Sequence, residues 1–291
     1  MSWRDVFRRD LRSVFRSRLG FSVAIVLVVL TAGVGALINY TSNSEYPPEM
    51  AQMVVVFGSI VSLLVPVVAL LASYSAIVGE RTTGSVRFLL GLPNSRTDAF
   101  VGKFLSRTLT VVAPLLVGLG LASLLVVPVA ESGSYRPMVL LAGLSAWYAV
   151  IFVGGGLAAS TLADTDTRAV ALVVGGFAIL RAGWPALQWA GLQSLQEPRP
   201  YPEWYFWFGR INPINAFVRA TMGLVETGSH PLLTIPRDVA RSPRNPRFEL
   251  PREPVTDSFA LSLELALIVL AVATVVFPLA GYLHFRRRDV M

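Results

Sequence analysis

FSVAIVLVVLTAGVGALINY, residues 21–40, runs for twenty residues without a charge. At the helical rise of 1.5 Å per residue, such a run covers about 30 Å, the thickness of bilayer hydrocarbon. Working outward, the chain holds six such runs: Phe21–Tyr40, Met53–Val78, Phe104–Ala130, Met138–Thr161, Ala169–Ala190 and Phe259–Leu283. Backbone N–H and C=O groups in hydrocarbon have no water to bond, so each run is expected to be a helix. The fold class is therefore all-α, a polytopic membrane protein of six transmembrane helices. Pro66, Pro114, Pro128 and Pro278 lie in or near these runs, where neighbouring helices can satisfy the carbonyls they free. The first run exceeds the usual 7–15-residue signal core and follows a basic helix, so it is expected to be retained as a span.

Composition agrees. Of 291 residues, 54% are hydrophobic and only 15% charged, with mean hydropathy +0.59. A soluble domain carries about 25% charge. The formal charge of +7 would suit a nucleic-acid partner, but the arginines sit beside apolar runs, which points to membrane lipid and not nucleic acid. With no Cys, disulfides, thiolate metal sites and a Cys nucleophile are excluded, and His230 and His284 are too few for a histidine metal centre. Fifteen of the 25 Lys and Arg fall in segment 1–18, connection 80–107, Arg168 and the tail, whereas the short connections 41–52 and 131–137 hold Arg136 alone. The positive-inside rule then puts both termini in the cytoplasm of a multi-pass cell-membrane protein.

Three segments lie outside the spans. Residues 1–18 put Trp3, Phe7, Leu11, Val14 and Phe15 on one helical face and Arg4, Arg8, Arg12 and Arg16 on the next. This pattern predicts an interfacial amphipathic helix with its arginines near anionic headgroups, either as a topology anchor or in a mechanical role. Segment 80–100 carries Ser95 and Asp98 in capping-box spacing, and Pro93 discourages helix through residue 92. A short amphipathic helix, a turn and the start of the third span are expected there. Its Phe88, Leu89 and Leu90 need cover, from headgroups or from a groove on a peripheral subunit. Residues 191–257 hold ten of the 19 Pro and eight Arg, predicting a long external loop between the fifth and sixth spans. Within it Trp204–Phe208 suit an aromatic belt, and Asn212-Pro213 opens a helix running to about Glu226.

Charges inside spans cost about 2.5–3.5 kcal/mol for a central Arg. Arg181 and Glu264 fall in the fifth and sixth runs, and an ion pair between them is expected, either tying the helices or touching substrate. Asp164 and Asp166 read as a solvated turn and helix cap in preference to a Mg²⁺ site. Gly154-Gly155-Gly156 and Gly175-Gly176 read as close-packing surfaces.

Three stretches resemble the ABC type-2 transporter permeases: Glu80-x-x-x-Gly84 with Phe88-Leu89-Leu90-x-x-Pro93-x-Ser95-Arg96 and Gly102-Lys103; Asn212-Pro213-x-Asn215-Ala216; and Phe285-Arg-Arg-Arg-Asp289. The nearest subfamily includes the permease of the nitrous-oxide-reductase copper-site maturation system. The resemblance implies a single transmembrane permease domain over 1–291, working in an exporter as a homodimer or heterodimer. It also implies a cytoplasmic ABC ATPase subunit that docks on the 80–98 region and the N-terminal helix. Glu80, Gly84, Phe88, Leu89, Leu90, Pro93, Ser95 and Arg96 would then carry ATPase coupling. ATP and Mg²⁺ would belong to that subunit, and no cofactor to this chain. The only lysine, Lys103, is followed by Phe104 and lacks the upstream Gly of a Walker A loop, so the chain is not expected to be an enzyme. An importer permease of the EAA class needs a longer Glu-to-Gly spacing. Two further readings remain: an ATPase-linked scaffold transmitting force to an external partner, and an intramembrane enzyme, for which H-E-x-x-H is missing.

Overall fold

Ser17 divides the first two helices. Its backbone is extended (ψ 146°), its N–H bonds the Val14 carbonyl to end α1 (Trp3–Arg16), and its hydroxyl accepts from the Gly20 N–H to start α2 (Arg18–Thr41). The computed structural model describes residues 2–42, 47–82, 95–131, 133–194, 202–224 and 258–287. Beyond α2, the second span is α3 (Met50–Ser73) continued by α4 (Ser75–Thr82), and the third is α5 (Arg96–Val126). The fourth is α6 (Arg136–Leu162). The fifth is α7 (Asp166–Ala178), a π turn (Ile179–Gly183) and α8 (Trp184–Ser194). Then come α9 (Glu203–Ile211), α10 (Pro213–Gly223) and the sixth span, α11 (Leu263–Arg287).

All six expected spans are present, as helices long and apolar enough to cross a membrane. No strand occurs among the described residues. The face holding α1, the end of α4 and the start of α5 is called basal below, and the opposite face distal.

Lipid tails are as apolar as leucine, so close packing, not hydrophobicity, holds such helices together. Two of the expected glycine contacts serve this purpose. A Cβ on Gly154 would come within 2.8 Å of Pro278 Cδ, and one on Gly156 within 2.9 Å of the Leu70 carbonyl, so α6 nests against α11 and α3. At the centre Tyr148 stacks on Phe217 with centroids 4.1 Å apart. Gly175 and Gly176 differ from expectation: nothing lies within 4 Å of a Cβ on either. The physical reason is position, because the fifth span stands at the periphery, with 6% of its most apolar window buried against 56% in the second span.

The segment expected as an external loop is corrected over residues 203–223. Residues 203–223 form a helical hairpin packed into the bundle, and residues 225–257 lie outside the described residues. Asn212 caps α10 by accepting from the Ile214 N–H at 2.9 Å, as its Asn-Pro signal predicts. Tyr205 and Phe206 are buried within protein instead of forming a belt. α8 and α9 run side by side, with Trp184 stacked on Phe208 and Trp204 against Gly191.

A π turn and a proline explain how the hairpin tip is held. Trp184 N–H bonds the Ile179 carbonyl, five residues back, but the next residue, Pro185, has no N–H. The Leu180 carbonyl is thus without the corresponding helical donor, and Asn212 Nδ2 donates to it at 2.6 Å. Arg210, 2% exposed, donates from Nε to the Ala260 carbonyl at 2.8 Å, so an arginine assigned to an outer loop is the largest fully buried side chain among the described residues.

Candidate functional site

The helix of the second span is interrupted for one residue at Tyr74, between α3 and α4, where the backbone keeps helical angles (φ −58°, ψ −33°) and the Tyr74 N–H still bonds the Leu70 carbonyl; carbonyls before such an interruption and N–H groups after it can take partners outside the helix. Both sets are met by neighbouring spans. Arg107 Nη1 of α5 donates to the Ala72 carbonyl at 2.9 Å, and Ser160 Oγ of α6 accepts from the Ile77 and Val78 N–H groups at 2.9 and 3.0 Å. The short helix α4 is thereby a jointed segment, carrying Glu80 at its basal end.

Glu80 is held in turn by α5. Lys103 Nζ donates to Glu80 Oε1 at 2.7 Å and lies 3.7 Å from Asp10 Oδ1 of α1. Arg107 grips the same Asp10 with two parallel bonds of 3.1 Å, from Nε and Nη2, and the Ser106 hydroxyl donates to it as well. Two cations thus meet two carboxylates, with the Lys103 and Asp10 side chains only 4% and 10% exposed. Burial works against charge on Asp10, but Lys103 and Arg107 outweigh it and hold the carboxyl below the usual carboxylate range. A fork of this kind fixes geometry as well as energy.

α1 can approach because residue 102 is glycine. A Cβ there would stand 2.8 Å from both the Trp3 carbonyl and Val6 Cβ. The Trp3 N–H donates to Asp98 Oδ1 at 3.2 Å, so the capping box at Ser95 also anchors the start of α1. The face of α1 turned to the bundle is Val6, Asp10 and Val14; Trp3 is 38% exposed, and Arg4, Arg8, Arg12 and Arg16 all point outward. On the far side of α5, Arg96 Nη1 donates to the Arg286 carbonyl at 2.7 Å, and Phe100 packs edge-on against Tyr282. Four elements, α1, α4, α5 and the end of α11, are joined at the place where the chain leaves at Thr82 and returns at Ser95.

The profile of the ABC-2 family transporter proteins matches residues 4–290. This chain belongs to that family. It is 28% identical over 127 residues to the probable ABC transporter permease protein NosY of Stutzerimonas stutzeri, covering 44% of this chain and 46% of that one. It is 29% identical over 123 residues to the protein of the same name in Pseudomonas aeruginosa, covering 41% and 43%. The similarity thus spans less than half the length of these curated relatives. The protein is a multi-pass membrane protein of the ABC-2 permease type.

In this permease, the residues predicted to couple fall into two groups. Glu80, Ser95 and Arg96 sit in the basal cluster, whereas Gly84, Phe88, Leu89, Leu90 and Pro93 lie outside the described residues. Lys103 and Asp10 are the members that sequence reasoning missed. Lys103 stands beside the quoted Gly102, and one signal for Asp10 was available: an acid spaced i, i+4 from Val6 and Val14 on a helix whose other acid, Asp5, lies in its first turn.

The permease does not form the expected Arg181–Glu264 pair. α11 begins at Leu263, after a 3₁₀ turn at Phe259–Leu261, so Glu264 is exposed in the first helical turn and not deep in the span. A carboxylate there suits the helix N-terminus. Glu264 acts instead on Arg219 of α10: burial pushes that guanidinium's pKa down, and the carboxylate pulls it the other way. Arg219 Nε also donates to the Leu261 carbonyl at 2.6 Å. Arg181 lies in the π turn.

Proposed function

We propose that this protein is the membrane-spanning permease of an ATP-driven exporter, coupling ATP hydrolysis on a separate cytoplasmic subunit to substrate movement. The carrying observation is the basal cluster in which Lys103 joins Glu80 of the jointed helix α4 to Asp10 of α1. A force applied to residues 83–94 reaches α4 and α5 together, since they are its two anchors. Because Arg107 also grips Asp10, α1 moves with them. The joint at Tyr74 lets α4 swing without distorting α3, and Ser160 passes the motion to the fourth span. In this reading the basal face is cytoplasmic, α1 lies in the membrane interface with its arginines on headgroups, and two such subunits assemble in the cell membrane.

The test is capture of the tagged permease from its native membrane together with its ABC ATPase, followed by replacement of Phe88–Leu90 and Arg96 by alanine. Loss of the ATPase from the captured complex is expected. An ATPase that stays bound and keeps its substrate-stimulated turnover after this replacement overturns the assignment.

A further inference from the structure

Between α6, α7 and α11 runs an apolar groove of about 270 Å³, lined by Leu162, Leu172, Gly176, Phe177, Phe152 and Phe277 among others. It exists because three of its walls are small, at Gly155, Ala158 and Ala159, and because Gly176 presents nothing to the space before it. The groove is not sealed: Leu162 and Leu172 at its basal end are 49% and 46% exposed, and Val276 is 50% exposed. It therefore opens sideways into bilayer hydrocarbon.

The basal end has a different chemistry. The turn from Ala163 to Thr165 joins α6 to α7, directly after the lining residue Leu162, and carries Asp164. Arg168 lies one turn before Leu172 on the stripe of α7 that continues to Gly176 and Leu180, by i, i+4 spacing. Arg168 Nη1 bonds Asp164 Oδ2 at 2.6 Å, both residues largely exposed, and Asp166 occupies the first turn of α7. An apolar trough thus ends beside a paired guanidinium and carboxylate, with Asp166 at the same end of α7.

From this juxtaposition we propose that the groove binds one acyl chain of a zwitterionic phospholipid bearing a primary ammonium, with its phosphate on Arg168 and its ammonium on Asp164 and Asp166. A purely anionic headgroup would satisfy the arginine and meet two like charges. A headgroup carrying both signs satisfies all three side chains and replaces an exposed ion pair, which is worth little by itself. The lipid would fill the space between the peripheral fifth span and the α6–α11 pair, and so supply the packing that Gly176 leaves open.

The experiment is native mass spectrometry of the full permease, purified in mild detergent and equilibrated with phosphatidylethanolamine, phosphatidylglycerol or phosphatidylcholine. One phosphatidylethanolamine per chain is expected, retained about tenfold more than either other lipid. Gly176→Leu fills the groove, meets no atom within 4 Å of its Cβ, and should abolish retention while its thermal unfolding stays cooperative. Asp164→Asn with Asp166→Asn should move the preference to phosphatidylglycerol. Equal retention by wild type and Gly176→Leu would overturn the site. Equal retention of all three lipids would overturn the headgroup assignment. A Gly176→Leu variant that loses dimer and keeps its lipid would show that the groove receives a second copy, overturning the lipid reading.

Discussion

Lys103 Nζ lies 2.7 Å from Glu80 Oε1 and 3.7 Å from Asp10 Oδ1, so one buried cation ties the jointed end of the second span to the N-terminal helix. Replacing it leaves two carboxylates facing each other without a positive charge between them, apart from Arg107. For Lys103→Met we expect a loss of about 1–3 kcal/mol in detergent stability, the usual cost of an unpaired buried group. We also expect ATPase stimulation by the permease to fall more than ATPase binding does. Thermal unfolding and turnover of the captured complex measure the two effects separately. An unchanged turnover would remove Lys103 from the coupling path.

Gly102 sets the distance between α1 and α5. Gly102→Leu forces atoms into the space held by the Trp3 carbonyl and Val6. Residues 3–16 should then lose hydrogen-exchange protection by an order of magnitude or more, roughly 1.4 kcal/mol per factor of ten. Protection in α6 should stay as it was, because no α6 atom is among the three nearest to that position.

Docking of α1 should also depend on acid. The Asp10 carboxyl is held below its ordinary value of about 3.9 in the folded state. A depressed carboxyl stabilises at pH above the unfolded pKa, and that contribution is lost as pH falls through the lower, folded value. Docking should therefore be constant from pH 7 to about 4 and weaken below it. Because the chain has no cysteine, Ser13→Cys gives a single site for an environment-sensitive fluorophore on the exposed side of α1. The label should report release below about pH 4 in the otherwise native chain. With Asp10→Asn the signal should start nearer the released value and its acid step should shrink, the remainder coming from Asp98, which holds the Trp3 N–H.

Asn212 holds the tip of the α9–α10 hairpin against the π turn. Asn212→Ala removes both a helix cap, worth about 0.5–2 kcal/mol, and the donor to the Leu180 carbonyl. The destabilisation should exceed that of Asn215→Ala, whose amide bonds only the Gly209 carbonyl within its own hairpin. Paired thermal unfolding of the two variants checks the order.

Restoring the donor at the π turn gives an independent check of why it exists. Pro185→Ala supplies an N–H one residue after Trp184. In that background Asn212→Ala should cost less, by about 1 kcal/mol, because the Leu180 carbonyl has an alternative partner. Additive effects in the double variant would show that the proline does not explain the Asn212 bond.

The six spans, the asymmetry of basic residues, and the caps at Ser95 and Asn212 were legible from the amino-acid order alone. Each of these depends on neighbours within a turn or two of helix, or on the composition of one run. The packing role of Gly154 and Gly156 was legible only in part, since the same signal at Gly175 and Gly176 marks an open face of the fifth span. Tertiary structure alone decided which charges meet. Lys103 and Asp10 are 93 positions apart and come together only because α1 crosses α5 at Gly102. Arg210 sits where a Pro- and Arg-rich composition indicates a solvated loop, yet carbonyls from Ala260 and Asn215 receive it in the interior. Glu264 was misplaced because hydropathy cannot see that the sixth helix starts at Leu263, after a 3₁₀ turn. A charge's partner is chosen by the crossing of helices distant in sequence, and that crossing is a property of packed surfaces, which no local pattern carries.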